Sequence, residues 1–216
     1  MSLPFKRRSV LWIFIAVIVV LHVWMLVLLA EPWLASHKDG QGRTQREAGI
    51  VVLQDRRTLP AVELAGTDDS NWNMATLGDN WYLVFFGYTY CPDICPTTLA
   101  EIRRLYRQLP DGLRDRLQVL MVSVDPARDT TSQLRAYLDF FDPDFQGLTG
   151  ELVDIQALSQ ALGIPFIPGD TSKPGYTVDH GGNLAIISPD GRQAGFIRAP
   201  LQVDALIGQL PLLMLE

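Results

Sequence analysis

The sequence predicts an α/β domain carried behind a single N-terminal transmembrane helix. Three observations predict it: one long uncharged apolar run near the start, alternating strand-like and helix-like segments after it, and a closing pair of strands around a Pro-Asp-Gly turn. The 216 residues suit one domain with an appendage rather than two full domains.

The apolar run is Val10–Ala30, VLWIFIAVIVVLHVWMLVLLA, with no formal charge. As a helix it would be about 31 Å long, close to the ~30 Å hydrocarbon core of a bilayer. Lys6, Arg7 and Arg8 precede it and Glu31 is the first acid after it. The positive-inside rule therefore puts residues 1–9 in the cytoplasm, residues 10–30 in the inner membrane and the rest in the periplasm. Trp12, Trp24 and Trp33 fall near the ends of the run, where aromatic belts form. A cleaved signal peptide fits less well, because the run exceeds the usual h-region and Leu28 is a poor small residue for a cleavage site. The Arg7–Arg8 pair alone is weak as a twin-arginine signal, and His22 is given no role.

Beyond the anchor, 15 basic residues face all 24 acids, a net charge near −9. An acidic domain with no basic stretch argues against nucleic acid as a partner. Residues 31–58 hold Glu31-Pro32, Gly40, Gly42 and mixed charges, and read as a linker. The folded domain is expected over residues 59–216.

Its elements follow in order. Ala61–Leu64 reads as a short strand, and Trp81–Tyr88 (WYLVFFGY) as a strongly apolar one. Pro96–Leu109 carries Leu99, Ile102, Leu105, Tyr106 and Leu109 at helical spacing. Leu117–Val124 is a second buried strand, Thr131–Phe141 a helix and Phe145–Leu148 a short strand. Thr149–Leu162 is a helix closed by Gly163. Leu184–Ser188 and Gln193–Ile197 flank Pro189-Asp190-Gly191 as a hairpin. Leu201–Leu213 is a last helix, broken late by Pro211. The order suits parallel central strands, helices on both faces and an antiparallel hairpin at one edge. Together with the position of the cysteines it is the order of a thioredoxin-like domain.

The only two cysteines, Cys91 and Cys95, sit in TYCPDICPTT between the strongest strand and the first long helix. Two cysteines exclude a four-thiolate zinc or iron–sulfur site. Pro96 suits the first helical position, which would place Cys95 near the N-cap, where a thiolate is favoured. A structural disulfide is a poor use of the pair. Closing about five residues stabilises by about 2 kcal/mol, against about 4.7 for a 100-residue loop. A reactive or metal-binding pair is the better reading, and two soft sulfurs favour Cu(I).

Of the two histidines beyond the apolar run, His37 falls in the linker and His180 in YTVDHGG, just before the hairpin. In a thioredoxin-like topology His180 faces the cysteines, with Gly181 and Gly182 giving room; an ordinary loop histidine is the competing reading. Asp179 could orient His180, and Asp93 could serve partner recognition; both could equally be turn formers. The five methionines form no cluster.

Four stretches now stand in order: FFGYTYCPDICPTTLAEI (Phe85–Ile102), SVDPARDT (Ser123–Thr130), FQGLTG (Phe145–Gly150) and YTVDHGG with LAIISPDG (Tyr176–Gly191). With these the chain resembles the Sco/SenC family of membrane-anchored copper chaperones. The resemblance implies a thioredoxin-like fold in which Cys91, Cys95 and His180 bind one copper ion, as Cu(I) with Cu(II) as a second state. It implies as partners the copper-centre subunit of cytochrome c oxidase, whose binuclear centre would receive the metal, and an extracytoplasmic thiol reductant or copper donor. The alternative is a membrane-tethered thiol–disulfide reductase using Cys91 and Cys95 as a redox pair. Asp125-Pro126 and Asp129/Thr130 are explained as a turn and a helix start. Tyr90 stands where many members have His, and Gly181 where Ser is common.

Overall fold

The computed structural model describes Trp12, residues 15–26 and residues 44–215. The chain divides into two units, residues 1–44 and 45–216. In the first, Ile15–Leu26 is helical and exposed, and the rest of the expected anchor, Trp12 apart, lies outside the described residues. No described helix is long and apolar enough to cross a membrane.

The second unit is built on one eight-stranded sheet: β1 (Ile50–Thr58), β2 (Glu63–Gly66), β3 (Asn71–Asn73), β4 (Trp81–Gly87), β5 (Leu117–Ser123), β6 (Gln146–Thr149), β7 (Leu184–Ile187) and β8 (Arg192–Ile197). The helices packed with it include α1 (Ile94–Gln108), α2 (Asp111–Arg114), α3 (Thr131–Asp139), α4 (Leu152–Ala161) and α5 (Val203–Met214). The strand order is β1-β8-β7-β4-β5-β6-β2-β3. Strands β4, β5 and β6 are parallel, and every other pairing is antiparallel.

All seven residues of β4 are buried. Successive side chains point to opposite faces, so both faces of the sheet are covered here, as the continuous apolar run predicts. Helix α1 packs on α5, and α3 lies on β6, where Leu134 and Leu138 crowd against Gly147.

Three expectations need correction. The end of the expected linker is β1, an edge strand paired with β8, with Ile50 opposite Ile197. Only Ile50 of its nine residues is fully buried, so it is held by backbone pairing rather than by an apolar face. Its charges suit an edge; Arg56 pairs with Asp190 of the β7–β8 turn at 3.1 Å. That added strand moves the β7–β8 hairpin inside the sheet, between β4 and β1. Finally, α5 runs through Pro211 to Met214 rather than breaking at it. Leu210, Leu213 and Met214 are buried around the proline, so packing outweighs the lost backbone bond.

Candidate metal centre

Strand β4 delivers the chain to the carboxyl edge of the parallel strands, where open α/β sheets place their sites. There the chain turns through residues 88–93 and enters α1. Asp93 is the N-cap, Ile94 the first helical residue and Cys95 the second. Pro96 is thus third, not first. It is tolerated because amides in the first turn have no intrahelical acceptor to lose.

Cys95 is fully buried and Cys91 nearly so, and both are free thiols. Each sulfur receives a backbone amide: Tyr88 N donates to Cys95 Sγ, and Cys95 N donates to Cys91 Sγ, both at 3.4 Å. Gly87 permits this approach, since a Cβ there would stand 2.8 Å from Cys95 Sγ.

His180 closes the site. Its Nε2 lies 3.3 Å from Cys95 Sγ, and one ligand atom from each of Cys91, Cys95 and His180 falls within 4.8 Å of the others. Its Nδ1 is 3.2 Å from the Gly181 carbonyl, an acceptor only, which favours the tautomer with the proton on Nδ1 and the Nε2 lone pair toward the sulfurs. The edges of Phe85 and Tyr88 contact the ring, with centroids 6.1 and 5.5 Å away.

This enclosure sets the charge states. Burial lowers the His180 pKa below its usual value, which keeps the ring neutral at pH 7. Burial pushes the Cys95 thiol far up, beyond what the Tyr88 amide recovers. The expected thiolate-favouring effect of the helix N-terminus therefore does not decide Cys95. Without a cation, a charge at this depth is too costly.

The remaining sequence candidates divide. Asp179 is exposed and acts through its backbone, bridging to Ile167 in both directions at 2.8 and 3.2 Å. Asp93 is exposed and makes no side-chain capping bond. Gly181 and Gly182 do not adopt positive φ, so the expected need for unusual backbone angles fails. Gly182 instead makes room, because a Cβ there would stand 3.1 Å from Ala199 and 3.2 Å from Thr98.

The structure also brings in residues explained above by turns and capping alone. Thr130 does cap α3, accepting from Gln133 N at 3.2 Å. Asp129, only 1% exposed, accepts from Thr89 N (3.1 Å), Thr89 Oγ1 (2.6 Å) and Ser123 Oγ (2.7 Å). It pins the turn that carries Cys91. Burial nonetheless raises its pKa, outweighing those donors. Asp125, also buried, accepts from Tyr176 Oη at 2.6 Å and pairs with Arg128. An acid directly before a helix reads as a cap, and its partners lie too far along the chain to show.

The fold and site together define a thioredoxin-like domain presenting two thiols and a neutral imidazole in one small cluster. The SCO1/SenC family profile matches residues 53–214, and the chain belongs to that family. A Stutzerimonas stutzeri protein named for copper binding is 46% identical over 187 residues, covering 87% of this chain and 92% of that one. The copper-bound structure of Bradyrhizobium japonicum ScoI is 29% identical, with a TM-score of 0.62 over 71% of this chain and 98% of that one. BsSco, described as having a disulfide switch and as a member of the Sco family of cytochrome c oxidase assembly proteins, shares the fold. It has a TM-score of 0.62 at 18% identity, over 76% of this chain and 98% of that one.

Proposed function

We propose that this chain is a membrane-anchored copper chaperone. It holds one copper ion through Cys91, Cys95 and His180 and passes it to the binuclear copper centre of cytochrome c oxidase during assembly. Residues 10–30 would be the anchor, with residues 1–9 cytoplasmic and the domain periplasmic. The observation that carries the reading is the convergence of two sulfurs and one imidazole nitrogen within 4.8 Å of one another. Soft thiolates with a neutral imidazole suit Cu(I), while a structural zinc site wants a fourth ligand. Family membership and the copper named in two relatives support the same metal.

Copper would be cargo, and the chain's part is ligand exchange. The site sits at the end of the sheet with Cys95 fully buried, Cys91 nearly so and His180 half-buried, so an incoming thiolate would reach the metal past Cys91 or His180 rather than past Cys95. Cys95 would release last, its sulfur regaining a proton in a pocket that favours neutral groups, while His180 stays neutral throughout.

The test is Cu(I) titration of the full chain in detergent, with X-ray absorption of the loaded protein. One copper per chain with two sulfurs and one imidazole is expected. Cys91→Ser and Cys95→Ser should abolish tight binding, and His180→Ala should remove the nitrogen. If His180→Ala left affinity and coordination unchanged, the three-ligand site would be wrong.

One observation favours a second reading, a thiol–disulfide reductase: both cysteines are free thiols, with their sulfurs within 4.8 Å of each other. The two thiols would be oxidised to a disulfide as a partner disulfide is reduced to two thiols. Under this reading His180→Ala keeps oxidase assembly, whereas copper delivery predicts its loss.

A further inference from the structure

Arg128 lies outside the metal cluster, yet it touches both loops that build it. Its guanidinium carbon stands 3.7 Å from the centroid of the Tyr176 ring, 4.7 Å from Tyr90 and 5.8 Å from Tyr88. Its Nη2 donates to the Tyr176 carbonyl at 3.0 Å, and its Nε to Asp125. Asp125 in turn accepts the Tyr176 hydroxyl. Two of the three rings, Tyr88 and Tyr90, stand just before Cys91 on the cysteine turn, and Tyr176 stands four residues before His180. Val178 N donates to Tyr88 Oη at 3.3 Å, a second tie between the same two loops.

The loop leading to His180 is closed at its base by the Ile167–Asp179 backbone pair and the buried Val178, but little holds the stretch between them. Residues 168–177 include no helix or strand and are almost all exposed, and Ile167 is 66% exposed. Such a segment would open locally at little cost unless tied down. A lysine could supply charge here, but it could not lie flat on tyrosine rings while forking to a carboxylate and a carbonyl.

We propose that Arg128 is a positioning residue. Stacked between Tyr176 and Tyr90 and anchored by Asp125, it clamps the His180 loop onto the cysteine turn and so keeps the imidazole within reach of the two sulfurs. The inference rests on His180 being a copper ligand, as proposed above.

The test uses the full chain in detergent with Arg128→Lys and Arg128→Ala, and Arg103→Ala as a control for losing an exposed cation. Amide hydrogen exchange of the metal-free proteins is read at Val178 and Asp179 and, for comparison, along β4. Both Arg128 variants should speed exchange at Val178 and Asp179 by about tenfold or more with β4 unchanged, because stacking and charged hydrogen bonds are lost together. Cu(I) should still bind one per chain through the sulfurs, with the imidazole signal in X-ray absorption reduced. Wild-type exchange in Arg128→Ala would overturn the proposal. So would full protection in Arg128→Lys, which would assign the effect to charge alone, or equal loss along β4, which would make Arg128 a general stabiliser. If His180→Ala leaves coordination unchanged, the ligand reading falls, while the metal-free exchange still decides the clamp.

Discussion

Replacing Asp129 by Ala removes the acceptor for three hydrogen bonds, from Thr89 N, Thr89 Oγ1 and Ser123 Oγ, in a place that is 1% exposed. Bonds to a carboxylate contribute about 1.5–3 kcal/mol each, and a buried donor left unpaired costs about 1–3 kcal/mol. One term offsets this: the carboxylate is itself costly to bury, as its raised pKa shows. A net loss of about 2–4 kcal/mol is expected for Asp129→Ala. Asp129→Asn should lose about half as much, since one amide oxygen still accepts and both hydroxyls can accept from its NH2. The assay is urea unfolding of full chain in detergent, followed by fluorescence and paired with Cu(I) affinity, which should fall because the Cys91 turn loses its pin. The pH dependence supplies a second check. A carboxyl whose native pKa lies above its unfolded value contributes stability that is present below pH 3.8 and lost as pH rises through the native pKa. The wild type should therefore gain on Asp129→Asn as pH falls through that window. A loss under about 0.5 kcal/mol for Asp129→Ala, the usual range of an inert surface change, would refute the reasoning.

Three further outcomes are expected. Gly87→Ala would press a methyl 2.6 Å from Phe85 and 2.8 Å from Cys95 Sγ; a cost of about 1–3 kcal/mol and weaker Cu(I) binding should appear in unfolding and competition titrations. Tyr88→Phe leaves the buried Val178 amide unpaired and should cost about 1–3 kcal/mol, read by unfolding, with faster exchange at that amide. The metal-free protein should lose stability as pH falls below 6.5, because buried His180 resists protonation that the unfolded chain accepts; His180→Gln should flatten that part of the pH–stability curve.

How far the sequence reaches depends on the range of each cause. Strand β4 and helix α1 were legible because burial writes itself locally, as a continuous apolar run and as a 3.6-residue period. Strand β1 was not, because an edge strand is held by hydrogen bonds to β8, which any sequence can make. The same holds for β3, three residues long and nowhere fully buried.

By itself the sequence determined the chemistry available. Two cysteines four residues apart at a strand-to-helix junction, and one histidine beyond the apolar run outside the linker, leave a single place for soft-metal chemistry. The tertiary structure decided how that chemistry is held. It brought His180 to 3.3 Å from Cys95, although 85 residues separate them, and it buried Cys95 deeply enough that burial overrides the helix terminus. It also turned Asp125, Arg128 and Asp129 from turn and cap residues into the ties between the loops of the site. The physical reason is that a side chain's donors, acceptors and flat faces are written in the sequence, but their partners are not. Only the packing of three distant loops against the end of one sheet supplies the partner, and with it the depth that sets each group's charge.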